Sequence, residues 1–289
     1  MTTKSLADYD RAIKLNPNNA NAYVNRGVAK YALGRKKEAI ADYNRAIKLD
    51  SNHTFAYFGR GVAKYALGRN QEAIADYDRA IKLDSNYAEA YYNRGYAKSN
   101  LGRNQEAIAD YDRAIKPDSN NAEAYNNRGV VKYALGRNQE AIADYDRAIK
   151  LNPNYAQAYS HRGVAKCALG RNQDAIADYD QAIKLDSNNA IAYYNRGNAK
   201  SSLGKKEDAI KDYTEAIRID SNFAIAYNNR GLAKYALGKN QEAIADYDRA
   251  IQLDPTPFPL KEYRKCYSYQ TREEKINESK SKIAISKPR

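Results

Sequence analysis

Apolar residues fall along this chain in two helical stripes, and the pair of stripes returns every 34 residues from Ala20 to Pro257. In the first stretch of the opening unit, Ala22, Tyr23, Ala29 and Leu33 keep roughly helical spacing along one side. Gly34 follows, and glycine takes the left-handed conformation that ends a helix at little cost. In the second stretch, read from the next unit, Ala73, Ile74, Tyr77, Ala80, Ile81 and Leu83 predict a single buried side. Asn70 is placed to cap this second helix, and Glu72 sets negative charge in its first turn, where the helix dipole favours it. Asp84-Ser85-Asn86 supplies the turn into the next unit. An all-α chain without strands is expected.

The tripeptide Asn25-Arg26-Gly27 marks the register, returning as Gly59-Arg60-Gly61, Asn93-Arg94-Gly95, Asn127-Arg128-Gly129, His161-Arg162-Gly163, Asn195-Arg196-Gly197 and Asn229-Arg230-Gly231. The units are 20–53, 54–87, 88–121, 122–155, 156–189, 190–223 and 224–257. Residues 65–82 and 133–150 are identical, which points to duplication within the gene. A helix pair this thin cannot bury its own apolar face, so its stability comes from stacking on its neighbours. Residues 1–19 read as an N-terminal half repeat, because 6–19 match only the second helix of a unit. Leu260, Tyr263 and Tyr267 are spaced for one face of a capping helix over 258–277, and the Lys- and Ser-rich residues 278–289 read as a disordered tail. Pro117 stands where other units have Leu or Ile. The helix there should end early, making the third-to-fourth junction the weakest.

This unit resembles the tetratricopeptide repeat. Counting from Ala20, Tyr23, Gly27 and Leu33 stand at the fourth, eighth and fourteenth positions of that pattern, and Ala39, Tyr43 and Ala46 at the twentieth, twenty-fourth and twenty-seventh. Three departures recur: Arg at the seventh position, Lys at the eleventh, and Ser often in place of Pro at the thirty-second. Arg26 and Lys30 lie one turn apart and Asp42 recurs in every unit, which predicts a pair of the Arg26–Asp42 type, within or between units. The resemblance implies an α-solenoid, a right-handed superhelix of seven helix-turn-helix repeats, whose first helices line a concave groove for a peptide segment of a partner protein. Groove positions two, five, nine and twelve vary between units, whereas second-helix positions are nearly constant. At the sixth position, Asn25, Asn93, Asn127, Asn195 and Asn229, interrupted by Gly59 and His161, imply an amide ladder along an extended peptide backbone. Phe58, Tyr92 and Tyr194 at the fifth position supply apolar contact. Chaperone C-terminal carboxylate tails are disfavoured as partners, because no successive triplet carries the clamp residues; Asn198 alone stands at the ninth position, with Tyr194 instead of Lys before it.

Composition adjusts this reading little. The chain has twenty-seven Tyr, four Phe, no Trp and one Met, and much of its apolar share is Ala and Tyr, which suits close helix contacts more than a deep core. A formal charge of +13 raises an alternative, nucleic-acid or acidic-partner binding through a basic outer face and tail. Nucleic acid is disfavoured, since the tyrosines are accounted for as packing residues and the cations, Arg35, Arg69, Arg45, Arg79, Lys48 and Lys82 among them, spread around the outside. No segment is apolar enough to serve as a signal peptide or membrane span, so a cytoplasmic protein with no membrane partner is expected. Cys167 and Cys266 read as free thiols. His53 and His161 are the only histidines, and six residues separate His161 from Cys167, poor helical spacing for a nucleophile and its base. No catalytic residue, metal site or cofactor is expected.

Overall fold

The computed structural model describes residues 6–116 and 120–254. Among them are fifteen helices and no strand. They fall into two compact units that meet in sequence between Pro153 and Asn154. The first unit contains α1 (Leu6–Leu15) and four pairs: α2 (Ala20–Ala32) with α3 (Lys36–Leu49), α4 (Thr54–Tyr65) with α5 (Asn70–Leu83), α6 (Ala88–Asn100) with α7 (Asn104–Ile115), and α8 (Ala122–Ala134) with α9 (Asn138–Leu151). The second contains α10 (Ala156–Ala168) with α11 (Asn172–Leu185), α12 (Ala190–Ser202) with α13 (Lys206–Ile219), and α14 (Ala224–Ala236) with α15 (Asn240–Leu253). The predicted capping helix and tail, Cys266 and Pro117 lie outside the described residues. The helix before Pro117 does stop at Ile115, two residues earlier in register than the Leu83 at which α5 ends.

The end of each first helix follows from one glycine. Gly34 has φ 77°, its N–H donates to the Tyr31 carbonyl at 2.9 Å, and the Arg35 N–H donates to the Lys30 carbonyl at 2.9 Å. These two bonds satisfy carbonyls that the helix end would otherwise leave open. Leu33 therefore sits in the cap and not on the buried stripe, and it is 63% exposed. The second helices also begin differently from expectation. Arg69 holds the cap position of α5 and Asn70 is the first helical residue, with no side-chain cap bond. The acidic residue of the first turn reaches back to the arginine instead, as in Arg35–Glu38 at 2.6 Å and Arg103–Glu106 at 2.7 Å. The Arg103 guanidinium, and more weakly Lys98, pull the Glu106 carboxyl down to about 2.

Within each pair, a tyrosine of the second helix fills the space a glycine leaves in the first. A Cβ built on Gly61 would lie 2.6 Å from the Tyr77 ring, and one on Gly129 would lie 2.7 Å from the Tyr145 ring. Tyr77, Tyr111, Tyr145, Tyr179 and Tyr213 are the largest fully buried side chains, surrounded by alanines such as Ala73, Ala80 and Ala97. Ile74 joins this core, whereas Ile81 and Leu83 are only half-buried.

The cations at the seventh and eleventh positions answer a carboxylate that the apolar pattern does not reveal. Asp42, Asp76, Asp110, Asp144, Asp178, Asp212 and Asp246 are all buried on the second helix. Arg26 donates to Asp42 through Nε and Nη2 at 2.9 and 2.6 Å, and Lys30 adds a contact at 2.7 Å. The same three-residue arrangement recurs in every pair, for example Arg94, Lys98 and Asp110. The third arm of the fork reaches the preceding helix pair: Arg26 to Asp10, Arg94 to Asp78, Arg128 to Asp112 and Arg196 to Asp180, at 2.5 to 2.7 Å. Arg26 also lies 5.5 Å from the centre of the Tyr23 ring. The expected pair thus exists within each repeat, and a second bond reaches the helix that precedes it. Arg suits this place because its planar fork meets two carboxylates and an aromatic face at once.

Candidate peptide-binding face

Successive first helices touch one another, α2 with α4, α4 with α6 and α6 with α8 in the first unit, and α10 with α12 and α12 with α14 in the second. Successive second helices have no comparable contact. Each unit is therefore curved with its first helices on the inside. On that inside face lie the second, fifth, sixth and ninth positions of each repeat.

In the first unit, Phe58 packs among Phe55, Tyr77 and Tyr87, with ring centres 5.9, 6.0 and 5.0 Å away. Gly59 interrupts the amide row for a steric reason: a Cβ there would stand 2.7 Å from the Tyr43 ring. Asn93 donates to the Glu89 carbonyl of its own helix at 2.8 Å. Asn127 donates to the Tyr92 hydroxyl at 2.9 Å, and its own carbonyl accepts from Asn126 at 3.1 Å. Asn25 is exposed. His53 uses both ring nitrogens: Nδ1 accepts the Ala56 N–H that starts α4, and Nε2 contacts the Asn21 amide oxygen at 2.9 Å.

The second unit repeats the theme. Asn229 donates to the Tyr194 hydroxyl at 3.1 Å and to the Asn198 oxygen at 2.9 Å, and Asn228 donates to Asn229 at 3.1 Å. Asn198 also accepts from the Tyr213 hydroxyl at 2.8 Å. Tyr194 packs on Phe223 at 5.1 Å. Asn195 is half-exposed beside it. Burial pushes His161 below the usual imidazole range. Burial likewise raises the Cys167 thiol, which a contact with the Tyr179 hydroxyl at 3.8 Å offsets only in part. That is the reverse of what an activated nucleophile needs. Among the described residues, no group of three His, Cys, Asp or Glu is placed to hold a metal ion, and no helix is long and apolar enough to cross a membrane.

A family model described as TPR repeat matches residues 2–34, 61–102, 100–136, 163–204 and 197–238, and one described as tetratricopeptide repeat matches 20–53, 122–155 and 224–257. The chain belongs to the tetratricopeptide repeat family. Proteins of this family are in general non-catalytic scaffolds for protein–protein interaction, and the coarse function of this tetratricopeptide repeat protein follows from that membership. The curated proteins include no match. Among solved structures, a tetratricopeptide repeat protein from Parabacteroides merdae is similar, with TM-score 0.65 and 18% identity over 86% of this chain and 96% of its own. YrrB, described as a TPR protein with an unusual peptide-binding site, has TM-score 0.57 and 23% identity over 65% of this chain and 97% of its own. MamA has TM-score 0.54 and 29% identity over 57% of this chain and 96% of its own.

The geometry gives two residues of the variable fifth position in this tetratricopeptide repeat protein a role that the sequence reading did not assign to them. Asn126 and Asn228 are buried at the fifth position and brace the sixth-position amide of the same helix. A longer period in the sequence carried the signal: Tyr92-Asn93 followed one unit later by Asn126-Asn127 returns three units on as Tyr194-Asn195 and Asn228-Asn229.

Proposed function

We propose that this protein is a non-catalytic scaffold that holds an extended peptide segment of a partner against the inner face of its first helices. The observation that carries the reading is the composition of that face. Positions that face inward differ from unit to unit, and they leave large apolar side chains in water, with Phe55 45%, Ile191 61% and Ile225 43% exposed. Buried positions of the second helices, in contrast, repeat with little change. Exposed apolar groups beside amides are what an extended chain can use, with its side chains on the apolar groups and its peptide bonds on the amides. Asn25, Asn93 and Asn195 are the amides whose donors do not already serve a neighbouring helix. Asn127 and Tyr92 form a braced rung beside Phe58 in the first compact unit, and Asn229 and Tyr194 form one in the second, where His161 also stands at the sixth position. The reading includes a cytoplasmic location, and the repeat boundaries given above as the units of assembly.

The test is selection of peptides from a random display library against the whole protein, with the winners re-measured on variants. Replacing Asn93 and Asn195 by Ala should weaken binding several-fold, since each lost hydrogen bond is worth about 0.5–1.5 kcal/mol. Replacing Arg79 and Lys82 on the outer helix α5 should change little. If the outer variants abolish binding and the inner ones do not, the inner face is not the site. Steep loss of affinity with salt together with preference for single-stranded nucleic acid would move the function to the basic outer surface.

A further inference from the structure

The two Tyr–Asn–Asn modules are the same frame with different second positions. In the first unit the frame is Tyr92 with Asn126-Asn127, and the second positions of α6 and α8 are Glu89 and Glu123, both exposed. In the second unit the frame is Tyr194 with Asn228-Asn229, and the same positions on α12 and α14 are Ile191 and Ile225, also exposed. The frame fixes one of the carboxylates: Asn126 donates to Asn127, Asn127 to the Tyr92 hydroxyl, and that hydroxyl to Glu123 Oε2 at 3.4 Å.

Sign matters here because the rest of the chain is basic, at +13 overall. The cations of the first helices, Arg94, Lys98, Arg128 and Lys132, are committed to buried aspartates of the second helices. Glu89 and Glu123 have no ion-pair partner among the described residues, so the inner face of the first unit is locally acidic in a basic protein. Phe55, at the second position of the neighbouring α4, continues the row with an exposed aromatic ring 5.9 Å from Phe58.

We infer that the duplicated frame has diverged into two subsites of opposite selectivity: the first unit takes an extended segment bearing two Lys or Arg side chains, and the second takes aliphatic side chains at the corresponding places. The inference rests on the peptide-binding reading above. Packed helices stand about 8–10 Å apart, and a peptide in the polyproline II conformation rises about 3.1 Å per residue and returns to the same side every three residues, so a peptide crossing them presents one side chain to a second position about every three residues. The segment for the first unit therefore has an apolar residue and two cations at about three-residue intervals, facing Phe55, Glu89 and Glu123 in turn. The carboxylates repel nucleic-acid phosphates from the same face.

The experiment uses the full chain and three labelled synthetic peptides that differ only at two sites three residues apart: Lys/Lys, Leu/Leu and Glu/Glu. The Lys/Lys peptide should bind wild type about tenfold more tightly than the Glu/Glu peptide at low salt, a ratio that shrinks as salt rises. Glu89→Gln with Glu123→Gln should remove that preference, and Glu89→Ile with Glu123→Ile should turn it toward Leu/Leu. Ile191→Glu with Ile225→Glu should create a second Lys/Lys site. Circular dichroism on each variant separates loss of selectivity from loss of fold, and the Gln pair, being nearly isosteric on an exposed face, is the decisive one. If Asn93→Ala and Asn195→Ala weaken all three peptides while the Gln pair leaves the Lys/Lys preference intact, this inference fails and the peptide-binding reading stands. If neither set of changes alters any peptide, both fall.

Discussion

The same substitution at two equivalent tyrosines should act with opposite sign. Tyr77 and Tyr213 hold the same position in their repeats and are both buried. Tyr213 donates its hydroxyl to Asn198 on the inner helix at 2.8 Å. In the repeat of Tyr77 that place is Val62, which offers no acceptor, and the Tyr77 hydroxyl is buried without a hydrogen-bond partner among the described residues. A buried polar group without a partner costs about 1–3 kcal/mol. Changing Tyr77 to Phe relieves that cost and leaves a void of roughly 10 Å³, which at about 24 cal/mol per Å³ costs only about 0.2 kcal/mol. A net gain of about 1–2 kcal/mol is expected. Changing Tyr213 to Phe removes a made hydrogen bond, about 0.5–1.5 kcal/mol. Asn198 is not orphaned, because Asn229 still donates to it at 2.9 Å. Thermal and urea unfolding followed by circular dichroism reads both, with a midpoint shift of about 2–4 °C per kcal/mol for a body of this size. The double variant should show the sum, as the two sites share no partner. If Tyr77→Phe destabilises as much as Tyr213→Phe, burial of the lone hydroxyl is not the cost this reasoning assigns to it.

Glycine replacements should separate by the space behind them. Gly61→Ala, whose Cβ would meet the Tyr77 ring at 2.6 Å, should lose about 1–3 kcal/mol, whereas Gly95→Ala, with nearest atoms at 3.2 Å, should be close to neutral because helix propensity offsets the tighter fit. Asp110→Ala leaves Arg94 with Asp78 alone and Lys98 with only its 3.5 Å contact to Glu106, so unfolding should show a loss toward the lower end of about 3–5 kcal/mol; a loss below about 1 kcal/mol would mean that the pair is solvated enough to be dispensable. His161 contributes a pH dependence. Its folded pKa lies below the unfolded value of about 6.5, so the unfolded state binds more protons and stability falls as pH drops through that value. His161→Asn, the residue most other repeats carry there, should flatten this part of a stability-against-pH curve measured from neutral to mildly acidic conditions.

The 34-residue period, with glycine ending the first helix and Ala, Ile and Tyr lining the second, was enough to specify helix pairs that must stack. Comparing units with one another picked out the variable first-helix positions, and the family resemblance, not the apolar pattern, implied that they line the inner face. The residues that brace that face were not legible. A hydrogen bond from Asn127 to Tyr92, or from Asn229 to Tyr194, joins groups thirty-five residues apart, and neither residue type announces which neighbour it will meet. Apolar periodicity also says nothing of a buried carboxylate: the recurrence of Arg and Asp in every repeat predicted that they pair, but not that Asp76 and Asp110 are buried beneath two cations each, Arg60 with Lys64 and Arg94 with Lys98. Leu33 and Asn70 failed for a related reason: the fold of the chain at Gly34 and at Arg69 shifts each helix boundary by one residue, and one residue on a helix is a turn of about 100°. The sequence by itself determined which residues had to be buried somewhere, because the burial of Ala, Ile and Tyr is non-directional and depends on pattern alone. Tertiary structure decided which polar groups are committed to one another and which are left facing the inner surface, because hydrogen bonds and ion pairs depend on distance and angle, and those exist only once the helices have packed.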